Sequence, residues 1–123
     1  MNQSNDISSN NRSIEKVYIL MILVIVSLEC IAHYHIKKSK VSNRFLFMSI
    51  AILCYVVICL LLNKCYDFNG IGITNFAWSI LSIISVLLVG HLVFSENITK
   101  YDIIGLVICI IGLYFIFIHE HNK

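Results

Sequence analysis

The chain has 123 residues, 59% hydrophobic and 13% charged, with a formal net charge of +2. One soluble domain of that size cannot bury so much apolar surface, and so small a charge without basic–aromatic clusters excludes a nucleic-acid surface. Five cysteines lie scattered, without a CxxC pair or histidines at zinc spacing, and no nucleophile–base pair or phosphate loop appears, so an enzyme, a metal site and a cofactor are not expected.

Residues 1–16 open with MNQSNDISSNNRS, which is polar and without apolar periodicity, and read as a disordered tail. The run Val17 to Ile36 that follows makes about 30 Å of helix, enough to cross the hydrocarbon core of a bilayer. It carries Glu29 past its middle. A carboxylate at that depth costs roughly 2.5–3.5 kcal/mol on insertion scales and therefore faces a bundle interior or a wet cavity. His33, four residues on, shares its helical face. Two readings stand: a proton or ion site at Glu29, or a hydrogen-bonded packing residue.

Past the basic loop Lys37, Lys38, Lys40 and Arg44, three more apolar runs cover Phe45 to Leu62, Ile71 to Phe94 and Ile103 to Ile118. Residues 119–123 close the chain as a wet tail, whose His119 and His121 are better read as solvated than as metal ligands. The expectation is an all-α, multi-pass integral membrane protein with four transmembrane helices over 17–118, running alternately up and down. An even number of spans puts Arg12, Lys16, Lys64 and Lys123 on one side and Lys37, Lys38, Lys40, Arg44 and Lys100 on the other. Orientation follows Lys/Arg bias, and here the bias nearly vanishes. Either the chain inserts both ways and pairs antiparallel with itself, or the Lys37 to Arg44 cluster alone sets one orientation.

In the third run Asn75, Trp78, Ser82 and Ser85 recur at i, i+3, i+7 and i+10, with Ser79 beside them. Lipid does not reward such a face, so it looks inward. Trp78 can offer its ring to a cation, or fill volume while the Ser and Asn side chains bond between helices. In the fourth run Gly105, Cys109 and Gly112 form a small-residue stripe at i, i+4 and i+7, suited to close helix approach in a dimer or within one chain.

Together these features resemble the small multidrug resistance family of the drug/metabolite transporter superfamily. The resemblance covers about residues 17–118 and needs no gaps between its key positions. Glu29 in LECIAHYHIKK matches the family's membrane-embedded glutamate, and Lys37 the lysine that closes that helix. Cys54-Tyr55 matches the site of a substrate-facing tyrosine. Gly72 and Ala77-Trp78-Ser79 match the opening of helix three with its pocket tryptophan. Phe94-Ser95-Glu96 resembles the turn before helix four, and Gly105 and Gly112 the glycine pair of its dimer face. The departures are Asn75 where a tyrosine is usual, Ile80-Leu81-Ser82 in place of the helix-three kink glycines, Ala32 and His33 beside the glutamate, and Ile31 where the guanidinium exporters carry tryptophan.

What the resemblance implies is an antiparallel homodimer in the bilayer. Its two Glu29 carboxylates meet near the midplane and hold either protons or a lipophilic cation. Trp78 and Tyr55 line the pocket, Asn75 and Ser79 add hydrogen bonds, and Gly105, Cys109 and Gly112 form the dimer contact. His33 has no counterpart in the family and would tune Glu29 or relay a proton. The alternatives are a non-transporting membrane protein, in which Glu29 and His33 clamp helices together, and a lipid-carrier flippase using Lys37 and Lys38.

Overall fold

A computed structural model describes the backbone of residues 2–121 and the side chains of residues 13–112, 114, 115 and 118. It contains four helices: α1 (Asn2–Lys38), α2 (Arg44–Cys65), α3 (Ile71–Phe94) and α4 (Lys100–His121). The connections 39–43, 66–70 and 95–99 are short enough that each reverses the chain, so α1 and α3 run the same way. Among the described residues Ser13–Lys38, Arg44–Cys65 and Ile71–Phe94 are long and apolar enough to cross a membrane. The architecture is therefore an all-α membrane fold.

Helix α1 is longer than its apolar run. It begins at Asn2, so the segment read as a disordered tail is helical backbone, with neither glycine nor proline in residues 2–16 to interrupt it. At the other end α4 continues to His121, three residues past the apolar run; the side chains of 119–123, with their histidines, lie outside the described residues.

Helix α1 is the hub and packs on both α2 and α3, while α4 lies against α3. The buried stripe of α1 is Ile22, Ile25, Val26, Glu29 and Ala32, an i, i+3, i+4, i+7, i+10 pattern that puts the carboxylate on the same line as the core aliphatics. Ile58, Leu62 and Cys65 of α2 complete the core, with Tyr18, Tyr55 and Trp78 packed at its edge. The outward faces of α1 and α2 are aliphatic and exposed (Leu20, Leu23, Leu53, Leu60), as a lipid-facing surface requires. All five cysteines are free.

Because α1 and α3 are parallel, their contacts pair in chain order. Tyr18 meets Thr74, Glu29 meets Trp78, and Lys37 meets Glu96 just beyond α3. The end of α3 is built for the last of these. Ser95 takes the left-handed conformation (φ 53°), and the Glu96 amide bonds back to the Gly90 carbonyl at 3.1 Å. The Ser95 amide turns back to the same carbonyl, and the two bonds together fold Glu96 over the helix end. A Cβ at position 90 would lie 2.5 Å from Glu96 Oε2, so glycine there makes room for the returning carboxylate.

Candidate functional site

Glu29 is 8% exposed, although it is an acid in an apolar helix. Trp78 Nε1–H donates to its Oε2 at 2.8 Å. On the other side His33 Nε2 stands 3.7 Å from Oε1, one helical turn along α1. The Tyr55 hydroxyl lies 3.4 Å from the same His33 nitrogen, and the two rings meet edge to face with centroids 6.4 Å apart. Three helices thus converge on one carboxylate: α1 supplies the acid and the imidazole, α2 the phenol and α3 the indole.

The electrostatics are unusual for a buried acid, since no permanent cation is among these partners. The indole contributes a neutral N–H dipole, and the imidazole carries charge only when protonated. A hydrogen bond satisfies one oxygen, and the other faces a group whose charge is conditional. Such a carboxylate is chemically able to take a proton or to pair with a cation.

Of the residues singled out in the sequence, Glu29, His33, Tyr55 and Trp78 come together. Asn75 does not join them: it is exposed, about a sixth of a turn off the Trp78 direction. Ser79 is half-buried and makes no side-chain hydrogen bond with the described residues. On α4, Gly112 has Phe76 Cζ of α3 at 3.9 Å from where its Cβ would stand, Cys109 is half-buried and Gly105 faces open space. The small-residue stripe therefore meets α3 at one end and is uncovered at the other.

Thr74 was not among the candidates, yet it is fully buried and receives a hydrogen bond from the Tyr18 hydroxyl at 3.3 Å. Its signal was spacing: Thr74 precedes Trp78 by one turn, and Tyr18 precedes Glu29 by three along the same α1 stripe. A hydroxyl among aliphatics on the tryptophan's own face is a buried polar group in need of a partner.

One turn beyond Glu29, towards the C-terminal end of α1, a cleft of about 350 Å³ opens between α1 and the end of α3. His33, Ile36, Val89 and Phe94 line it together with the charged Lys37, Lys40 and Glu96. Lys37 is ion-paired with Glu96 and its ammonium stands 4.2 Å from the Phe94 ring centroid. Two residues that sequence matching had placed separately, the lysine closing helix one and the glutamate before helix four, are therefore partners. Glu29 itself does not line the cleft; His33 stands between them. No family model matches this chain, and searches of curated proteins and of solved structures returned no match.

Proposed function

We propose that this protein is a proton-coupled exporter of lipophilic or aromatic cations that works as an antiparallel homodimer of the small multidrug resistance type. The observation that carries this reading is the Glu29 carboxylate, buried and held by the Trp78 N–H without a permanent cation. A proton and an organic cation each neutralise that carboxylate, and only one of them does so at a time. Exclusion is what couples inward proton flow to outward cation movement: a loaded carboxylate gives up one occupant only for the other. Trp78 supplies a polarisable face for a flat cation, a contact worth about 0.5–2 kcal/mol. The nearly balanced Lys/Arg distribution and the open Gly105 end of the α4 stripe support pairing of two copies in opposite orientations.

A second reading is favoured by a specific observation. The cleft reaches His33 but not Glu29, so within one protomer the acid is a helix clamp as much as a site. One measurement separates the two. The chain has a single tryptophan, so its fluorescence reports the indole that touches Glu29. Titrating purified protein in lipid nanodiscs with a lipophilic aromatic cation such as tetraphenylphosphonium quenches Trp78, and lowering the pH displaces the cation. Quenching that pH does not affect, or that survives Glu29→Gln with its pH dependence intact, leaves the clamp.

A further inference from the structure

We infer that His33 is the proton relay between the open cleft and the buried Glu29 carboxylate, an inference that rests on the reading of Glu29 as a proton site. His33 alone belongs to both places. Its ring lines the cleft and its side chain is 41% exposed, whereas the Glu29 side chain is 11% exposed and outside the cleft. Its Nε2 faces Glu29 Oε1 at 3.7 Å, and Nδ1 has no hydrogen-bond partner among the described residues. A path from water to Glu29 on this side of the bundle therefore passes through one imidazole.

The groups that face this ring set the conditions of transfer. They are Glu29 on its own helix, Tyr55 from α2, and at the cleft Lys37, Lys40 and Glu96. Lys37 is neutralised by Glu96, which leaves Lys40 as the cation of the cleft lining without an ion-pair partner among the described residues. The Tyr55 hydroxyl holds the Nε2 edge of the ring beside the carboxylate.

The step balances simply. A hydronium in the cleft gives its proton to Nδ1, and the imidazolium passes its Nε2 proton to the Glu29 carboxylate. The products are water, a neutral imidazole carrying its proton on Nδ1, and a carboxylic acid; proton release runs the same steps backwards. At 3.7 Å the transfer needs an approach of about half an ångström or one intervening water, within what positioned acid–base pairs accomplish.

The test is a stopped-flow pH jump on the full chain in nanodiscs, following Trp78 emission as Glu29 takes up a proton. His33→Gln keeps a hydrogen-bonding side chain but cannot carry a proton. It slows the relaxation on the order of 100-fold while the end-point emission change persists. His33→Ala is slowed likewise, opens space beside the cleft, and recovers rate in proportion to added imidazole. A His33→Gln rate equal to that of the parent, or a slow His33→Ala that imidazole does not rescue, overturns the relay. Failure of the exporter reading looks different: the pH jump behaves as described, but the aromatic cation never competes with protons. Emission that ignores pH in the parent overturns both.

Discussion

Two glutamates close the contact between α1 and the α3 region, and they do so in opposite ways. Glu96 lies at the wet end with a side chain 57% exposed and takes the Lys37 ammonium, a full and permanent cation. Glu29 lies at depth with a side chain 11% exposed and takes a neutral indole N–H and a conditional imidazole. Screening makes the exposed pair weak, typically 0–1 kcal/mol, so it is a fastener that tolerates loss. The buried carboxylate has given up water without receiving a counter-charge, so whatever supplies positive charge there has leverage. The fixed cation thus sits at the wet end, and the deep acid has none beside it among the described residues.

The sharpest way to break that contrast is at the deep end. Glu29→Gln removes the charge and keeps the Trp78 hydrogen bond, so helical content and assembly persist while the pH dependence of cation binding vanishes entirely. Circular dichroism together with vesicle transport under an imposed pH gradient checks this, and proton-driven uptake surviving in the variant defeats it. Trp78→Phe does the converse. It leaves the carboxylate without its donor and costs about 1–3 kcal/mol of stability, read from thermal unfolding followed by circular dichroism.

Smaller effects belong to the wet end. Glu96→Gln or Lys37→Met lowers stability by no more than about 1 kcal/mol, and the difference shrinks as salt rises. A double-mutant cycle on Lys37 and Glu96 set beside one on Glu29 and Trp78 sharpens the comparison, with the deep pair the more strongly coupled. The order reversing would mean that depth does not govern the two sites. Gly90→Ala tests the same latch from below. The new methyl collides with Glu96 Oε2 and pushes it off Lys37, but helix propensity improves by roughly 1 kcal/mol, so the two contributions nearly cancel.

Much of this was legible in the order of residues, and the reason is periodicity. Glu29 falls on the line of Ile22, Ile25 and Val26, so its inward direction follows from the helix repeat alone. The meeting of Glu29, Tyr55 and Trp78 came instead from a resemblance that no comparison supports, and helix repeats cannot say which residue on α2 or α3 stands opposite a given one on α1. That is why Asn75 was grouped with Trp78 and Thr74 was passed over. Both lie within one turn of the tryptophan, and helix rotation against α1 decides that Thr74 is buried and Asn75 exposed. The Lys37–Glu96 pair was illegible for another reason, since it depends on the left-handed turn at Ser95, a residue with no strong preference for that conformation. The polar start of α1 shows the reverse case: composition alone says tail, while the backbone continues the helix to Asn2.

A third carboxylate extends the comparison to full exposure and gives the smallest effect. Asp102 opens α4, where its Oδ2 accepts from the Thr99 amide at 2.8 Å and from the Thr99 hydroxyl at 2.6 Å, while its own amide reaches Thr99 Oγ1 at 3.4 Å. This reciprocal box fixes the helix start, and the two Thr99 bonds hold the Asp102 carboxyl below the usual aspartate range. A depressed value means the ionised form is favoured in the folded chain. Its contribution is thus fully present above the unfolded value of about 3.9 and is lost as the pH falls through the lower folded value. Asp102→Asn should melt slightly earlier than the parent at pH 6, and the two melting curves should converge as the pH falls through the lowered folded value. Glu29→Gln differs in kind: on the proposed exporter reading it changes cation binding while leaving this acid-side convergence untouched. If the Asp102 variant alone altered binding at neutral pH, the wet end of α4 would have to share in the chemistry assigned to the deep acid.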